Sequence, residues 1–208
     1  MTENRVFKAA LTGSIAMGKS TVAEMLRDAG VPVFDADAVV HCLYARNGEA
    51  VEPIGALFPD VVRHGAVDRG ELAKQVLNNA DAMANLEAIV HPLVRKQQED
   101  FLKSVQLSDN SVAVFDIPLL FETGRAGEYD AILVVSAPSE IQRARALDRH
   151  DMTEAKFEAI LARQVPDEEK RAAATHVIST DVPLEDTRRQ VLAIISELQS
   201  LVGGQLHA

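Results

Sequence analysis

Short apolar runs that stop at polar residues recur along the chain and predict the strands of a sheet. They are Val6 to Leu11, Val31 to Asp35, Val112 to Phe115, Ala131 to Val135 and, as the weakest, His176 to Ser179. Helical patterns separate these runs, so we predict an α/β fold with a mostly parallel sheet and helices on both faces. Ligands of such sheets bind at the carboxyl ends of the strands. The residues found there are Gly13, Asp35, Asp37, Asp116 and Ser136.

Two helices frame the predicted core. The first is predicted from Lys19 to Ala29, and Gly30 follows at a position where helices commonly end in a left-handed residue. The strand, loop, helix and second strand at the start of the chain form a βαβ unit. The last helix is predicted from Leu184 to Leu201, and Gly203-Gly204 begins what reads as a loose tail.

A helical insertion separates the second and third strands. Residues 37 to 110 contain no clear strand and predict helices over Glu49–Phe58, Arg69–Asn78 and Ala82 to Val105. Proline removes a helix hydrogen bond and disfavours helical geometry in the preceding residue, so we expect a break or kink at His91-Pro92. The insertion is too long for a simple crossover, and we expect a small subdomain that covers a second substrate.

The stretch from Pro138 to Ala174 is helical in pattern and rich in charge. Segments of this kind can close over phosphates as a lid. Arg145 and Arg149 are four residues apart and would share a helix face. They would form either a solvated pair with partners such as Glu154 or a phosphate clamp.

Composition and charge narrow the class of ligand. The chain has 208 residues and a formal net charge of −10, which argues against broad binding to nucleic acid or to an anionic membrane. A nucleotide can still bind, since backbone N–H groups supply local positive potential. Cys42 is the only cysteine, and no apolar stretch approaches the roughly 18 to 20 residues that span a bilayer. The single cysteine therefore favours a cytoplasmic protein. We also expect a monomer or a weak homo-oligomer.

The stretch TGSIAMGKST fits the P-loop pattern G-x-x-x-x-G-K-S. Its candidate ATP-binding residues are Gly13, Ser14, Ile15, Ala16, Met17, Gly18, Lys19, Ser20 and Thr21. Glycines let successive N–H groups form an anion nest, the lysine reaches the β- and γ-phosphates, and the serine hydroxyl ligates Mg²⁺. A chance match in a glycine-containing turn is the alternative, but an apolar strand before the loop and an amphipathic helix after it favour a functional site.

Carboxylates follow two of the strands. Asp35 and Asp37 could cap and begin a helix, or they could orient an acceptor hydroxyl and act on a metal-bound water. Asp116 could be a strand-end cap or a Walker-B carboxylate. We therefore expect Mg²⁺ at Ser20, with Asp37 or Asp116 as a further ligand. His91 has no Cys or His partner at ligand spacing, so a transition-metal role is not expected.

Several stretches, taken in order, make the chain similar to the dephospho-coenzyme A kinase family from about residue 6 to residue 200. They are ALTGSIAMGKSTVAEMLRDAGVPVFDADAVVH (10–41), GAVDRGELAKQVL (65–77), LEAIVHPLVR (86–95), FDIPLLFETG (115–124), YDAILVV (129–135) and Arg163-Gln164. The P-loop is shared by many families, whereas this combination of motifs is much more specific.

The resemblance implies a P-loop kinase of three parts. The nucleotide-binding core would comprise residues 1–37, 111–137 and 175–208, the helical acceptor subdomain 38–110, and the lid 138–174. It also implies the reaction: the γ-phosphoryl group of ATP passes, with Mg²⁺ as cofactor, to the ribose 3′-hydroxyl of dephospho-CoA. The products would be CoA and ADP, as the last step of coenzyme A synthesis.

The resemblance also assigns residues to roles. Asp37 would face the acceptor hydroxyl, Arg149 would be the lid arginine near the phosphates, and Lys19 completes the candidate catalytic set. The expected acceptor-binding residues are Asp35, His91, Arg95 and Leu119.

The loop departs from the form G-G-I-G-S-G-K-S that is common in the family. Ser14, Ala16 and Met17 replace the residues of that form. If the position of Ala16 needs a positive φ, alanine there costs roughly 1 kcal/mol. Near the C-terminus, Ala174 to Thr180 also departs from the family pattern A-D-x-V-I-x-N close to the adenine.

Two other functions stay open on the residues alone. The chain could be another P-loop kinase that acts on a nucleoside or nucleotide. It could also be a catalytically decayed ATP-binding regulatory module, for which the changed loop glycines are the only support.

Overall fold

The computed structural model describes residues 5–77, 79–108 and 110–205. The chain forms two compact units, one of residues 1–34 and 105–208 and one of residues 35–104. The strands are β1 (Phe7–Thr12), β2 (Val33–Asp35), β3 (Val62–Arg63), β4 (Ala66–Val67), β5 (Val112–Asp116), β6 (Ala131–Ser136) and β7 (His176–Ser179). The helices are α1 (Lys19–Asp28), α2 (Ala36–Tyr44), α3 (Val51–Leu57), α4 (Arg69–Val76), α5 (Ala80–Gln106), α6 (Ser139–Leu147), α7 (Glu154–Leu161), α8 (Asp167–Ala172) and α9 (Leu184–Gln205).

The main sheet has the order β2-β5-β1-β6-β7. β1 pairs in parallel with β5 and β6, and β6 pairs in parallel with β7, so the predicted parallel sheet is confirmed. β1, β5 and β6 are almost wholly buried, which is why their sequences read as continuous apolar runs. Apolar residues of α1 and α9 join the same core cluster.

The ends of the two framing helices differ in how well the sequence predicted them. Gly30 follows α1 with a φ of 78°, as expected for a left-handed terminus. The prediction that a loose tail begins at Gly203 was wrong, because α9 continues through Gly203 and Gly204 to Gln205. Residues 206–208 of that tail lie outside the described residues.

The second unit contains one element that the sequence did not predict. β3 and β4 form an antiparallel hairpin where no strand was expected. His64 and Gly65 connect them with φ values of 52° and 78°, as in a type I′ turn. Strands of two residues are too short to produce an alternating pattern, so the turn was the only available signal.

The predicted helices of this unit occur, with one correction. The helix predicted to end at Asn78 is α4, and Asn78 itself lies outside the described residues. Of the break or kink expected at His91-Pro92, the break is wrong, because α5 runs from Ala80 to Gln106 with the proline inside it. Leu86 and Val90 of α5 are buried in the core of this unit, and such packing outweighs one missing backbone hydrogen bond. Within the described residues, no helix is long and apolar enough to cross a membrane.

Candidate active site

Two glycines frame the loop between β1 and α1, each for a different reason. A β-carbon on Gly13 would lie 2.7 Å from the carbonyl oxygen of Val135, which is closer than real side chains come. Gly18 has a φ of 90° and immediately precedes α1, and glycine adopts that conformation without steric cost. The loop therefore needs glycine at both positions.

Ala16, between these glycines, has a φ of 61°. The position thus needs the left-handed conformation, which costs alanine about 1 kcal/mol. Its methyl group is buried and packs with Ala146 and Phe157 in a small apolar cluster. Burial of a methyl group contributes roughly 0.8 kcal/mol, so packing offsets much of this strain.

Side chains from outside the loop hold its backbone. The Ile15 N–H donates to Gln164 Oε1 at 3.0 Å, and Gln142 Nε2 donates to the Ile15 carbonyl oxygen at 2.9 Å. Thr180 Oγ1 donates to the Met17 carbonyl oxygen at 2.7 Å. The sequence motifs included Gln164, whereas Gln142 carries no local signal because only the fold brings it to the loop.

Lys19, the first residue of α1, forms a salt bridge with Asp116, the last residue of β5. The sheet explains this pairing, since Asp116 is in register with Leu11 of β1, just before the loop. The Lys19 and Asp116 side chains are 18% and 7% exposed. Ser20 lies exposed in the first turn of α1, where backbone N–H groups lack helical partners and the helix dipole is positive.

A buried lysine is the main residue that the sequence missed. Lys170 of α8 has no exposed surface, and its Nζ lies 2.8 Å from Glu122 Oε1 and 3.2 Å from Ser14 Oγ. The Val165 N–H also donates to Glu122 Oε1, at 2.9 Å. Burial alone raises the pKa of the Glu122 carboxyl, but the hydrogen bonds from Lys170 and from the backbone outweigh it and hold that pKa below its ordinary value.

Two arginines of residues 138–174 are arranged differently from the expectation. Arg145 donates to Thr180 Oγ1 at 2.9 Å and to the Thr180 carbonyl oxygen at 2.6 Å. Arg149 lies beyond the end of α6 and is exposed, so the two arginines do not share a helix face. The expected partner Glu154 pairs instead with Arg143, at 2.6 Å.

Asp35 and Asp37 have different local environments in the second unit. Asp35 Oδ1 accepts a hydrogen bond from the Ala38 N–H at 2.9 Å, so Asp35 is the N-cap of α2. Asp37 is an exposed residue of the first turn of α2. The capping interpretation of Asp35 is therefore correct, and the Asp37 carboxylate is accessible to solvent.

The remaining candidate residues lie in separate units. His91 and Arg95 are exposed and four residues apart on α5, so they share a face of that helix. Leu119 follows β5 in the first unit and is 46% exposed, whereas Leu120 beside it is fully buried.

Comparison with known proteins identifies the family. The sequence model of the dephospho-CoA kinase family matches residues 8–186. The chain belongs to the dephospho-CoA kinase family. A dephospho-CoA kinase from Rhizobium etli is 51% identical over 194 residues, which cover 93% of this chain and 95% of the relative.

Solved structures agree with this membership. A protein from Thermus thermophilus has 36% identity and a TM-score of 0.78, with 93% of this chain and 98% of that chain covered. The dephospho-CoA kinase from Campylobacter jejuni has 25% identity and a TM-score of 0.62, and the match covers 92% of this chain and 96% of that chain. Family membership and sheet order together confirm the predicted α/β fold of the P-loop kinases, and the family is one of ATP-dependent kinases with a nucleotide substrate.

Proposed function

We propose that this chain transfers the γ-phosphoryl group of ATP to the ribose 3′-hydroxyl of dephospho-CoA, giving CoA and ADP. One observation carries the proposal: the family match over residues 8–186 includes a loop whose lysine is paired with the carboxylate that ends β5. Phosphoryl transfer depends mainly on positioning and on neutralising charge. These are the tasks that the loop and its surroundings are suited to perform.

The loop and α1 would bind the β- and γ-phosphates of ATP. Backbone N–H groups near Gly18 and the N-terminus of α1 favour an anion. The salt bridge with Asp116, the last residue of β5, holds the Lys19 ammonium group near the carboxyl end of that strand. Gly13 to Thr21 are accordingly proposed as the ATP-binding residues.

The protein oxygen atoms near the loop are ligands suited to a Mg²⁺ ion that also binds the phosphates of the substrate. Among the described residues, no group of three His, Cys, Asp or Glu side chains could hold a metal ion by itself. Mg²⁺ usually takes one or two protein oxygen ligands and completes its shell with phosphates and water. The Ser20 hydroxyl and the Asp116 carboxylate, or that of Asp37, would hold it, and bound Mg²⁺ would neutralise phosphate charge.

Asp37 is proposed as the group that accepts the proton of the acceptor hydroxyl. Its carboxylate is exposed, whereas one oxygen of Asp35 is engaged as a helix cap. Asp35, His91, Arg95 and Leu119 would bind the acceptor, and Arg149 would approach the phosphates from the lid. In this proposal residues 35–104, which form a unit of their own, bind dephospho-CoA.

An ADP-release assay with a panel of acceptors tests the function. With Mg-ATP, dephospho-CoA should stimulate ADP release far more than adenosine, AMP or shikimate. A preference for one of those three would assign the chain to another small-molecule kinase activity. ATP binding without ADP release on any acceptor would indicate a regulatory module instead.

The setting of the enzyme is a further part of the proposal. The net charge of −10 and the single cysteine support a cytoplasmic enzyme that does not act on nucleic acid or membranes. We propose a monomer or a weak homo-oligomer, and light scattering coupled to size-exclusion chromatography measures its mass directly.

A further inference from the structure

The loop between β1 and α1, residues 13–18, is called the phosphate loop below. Its residues 14–17 form a β-turn. The Met17 N–H donates to the Ser14 carbonyl oxygen at 3.2 Å. Ala16, the third residue of the turn, has a φ of 61°, and Ile15, the second residue, is not among the described residues with positive φ. These features define a type II turn, whose third residue is usually glycine.

Type I and type II turns differ in the orientation of their central peptide. That peptide joins the Ile15 carbonyl group to the Ala16 N–H, and it rotates by roughly half a turn between the two types. In the type I form, Ala16 would have a negative φ, which alanine prefers. The intrinsic preference of Ala16 therefore favours the orientation that the loop does not adopt.

Gln142 opposes that preference. Its side-chain amide donates to the Ile15 carbonyl oxygen at 2.9 Å, and the residue is only 6% exposed. Rotation of the central peptide would move the carbonyl away and leave a buried amide N–H without this acceptor. Gln164 fixes the preceding peptide, because its Oε1 accepts the Ile15 N–H at 3.0 Å.

We propose that Gln142 is a positioning residue that locks the Ile15–Ala16 peptide in the type II orientation. In a trans peptide the C=O and N–H groups point in opposite directions. While Gln142 holds the Ile15 carbonyl, the Ala16 N–H therefore points away from Gln142, where it can meet a phosphate oxygen. The inference rests on the proposed ATP site, and it assigns to Gln142 the conformational role that a glycine at residue 16 would otherwise fill.

This role predicts a specific coupling between two residues. Glycine adopts positive φ freely, so a loop with glycine in place of Ala16 would need the Gln142 hydrogen bond much less. Gln142→Met should weaken ATP binding about tenfold through the loss of one buried hydrogen bond. Ala16→Gly alone should change the dissociation constant of ATP by less than about threefold, and in the Gln142→Met background it should restore most of the lost affinity.

Isothermal titration calorimetry with Mg-ATP measures these affinities without an acceptor. In turnover assays, the KM for ATP should rise in Gln142→Met while the KM for dephospho-CoA stays unchanged. Ser200→Ala is the control, since it removes the hydrogen bond that Ser200 Oγ donates to the Ser196 carbonyl oxygen within α9 and should not change ATP affinity. Gln142→Glu is a second variant of the same shape whose ionised form cannot donate.

Three results would overturn the inference. The first is wild-type ATP affinity in folded Gln142→Met. The second is a loss of affinity that Ala16→Gly does not restore, and the third is an equal loss in Ser200→Ala. If Gln142→Met does not fold, the same comparison is made with Gln142→Glu. Failure of the wild-type protein to phosphorylate dephospho-CoA would reject the proposed function, whereas the coupling in ATP binding would still be measurable.

Discussion

The ammonium group of Lys170 lies 2.8 Å from Glu122 Oε1 and has no contact with solvent. The same nitrogen lies 3.2 Å from Ser14 Oγ in the phosphate loop. The pair therefore joins α8, the turn region after β5 and the loop. A buried charge is stable only when it is paired and hydrogen-bonded.

Glu122→Gln and Lys170→Met should each destabilise the protein strongly. Each substitution leaves the partner charge buried without compensation, which typically costs about 3–5 kcal/mol. Chemical denaturation followed by circular dichroism measures the free energy of unfolding. The double variant Glu122→Gln/Lys170→Met should lose much less than the sum of the two, because no charge then remains unpaired. Additive losses would show that the pair is not the source of the effect.

The stability contributed by Glu122 should disappear in acid. Its pKa is lowered in the folded protein from an ordinary value of 4.5, so this contribution is complete above that value and is lost as the pH falls through the folded pKa. The free energy of unfolding of the wild-type protein should fall as the pH is lowered from about 7 to about 3. Below the pKa of Glu122 in the unfolded chain, it should fall less in Glu122→Gln than in the wild-type protein. Glu158→Gln is the control, since its ion pair with Arg143 is exposed on both sides and contributes little. An equal change in the two variants would contradict the prediction.

Replacement of Lys19 should strongly reduce turnover. Lys19→Met removes the cation proposed to stabilise the transferred phosphoryl group, and loss of one such electrostatic contact typically lowers kcat by about 10²–10³-fold. Initial rates of ADP release with saturating dephospho-CoA measure the effect. Circular dichroism must show a folded variant, because Asp116 loses its salt bridge to Lys19. A kcat within a few-fold of the wild-type value would remove Lys19 from the catalytic set.

Asp37→Asn should lower kcat much more than it changes ATP affinity. Loss of a general base typically lowers the rate by about 10²–10⁴-fold, whereas ATP would contact other residues. Asp35→Ala serves for comparison, since loss of its cap on α2 should lower stability by about 1 kcal/mol. Steady-state kinetics and thermal unfolding separate these effects. A nearly normal kcat in Asp37→Asn would rule out Asp37 as the base.

Arg149→Ala should slow phosphoryl transfer, on the order of 10²-fold if the guanidinium neutralises phosphate charge in the transition state. Arg143→Ala is a matched control, because Arg143 forms an exposed pair with Glu154 that contributes little to stability or activity. Single-turnover measurements compare the two variants. Equal rates in both would show that Arg149 has no special role.

The sequence predicted best those features that depend on neighbouring residues. The runs around Leu11, Val114 and Val134 predicted buried parallel strands, because both faces of such strands are covered. The loop motif between Gly13 and Ser20 was recognisable because its backbone needs glycines at fixed positions. The helix over Lys19–Asp28 followed from its apolar spacing.

Predictions that depended on packing fared worse. Pro92 does not interrupt α5, since the buried face of the helix contributes more than one hydrogen bond. Arg145 and Arg149 do not share a face, because α6 ends between them. Lys170 appeared only as one charge in a charged stretch, and nothing local distinguishes a buried lysine from an exposed one.

The sequence alone determined the phosphate loop, the parallel sheet and the family resemblance, since these depend on short-range patterns and on the order of motifs. The tertiary structure decided which side chains hold the loop in place. Gln142, Gln164 and Lys170 lie more than a hundred residues from Ile15 and Ser14, and folding alone brings them within hydrogen-bond distance. It also showed that Ala16 has positive φ, because a backbone angle of this kind is set by the bonds around the turn and not by the residue itself.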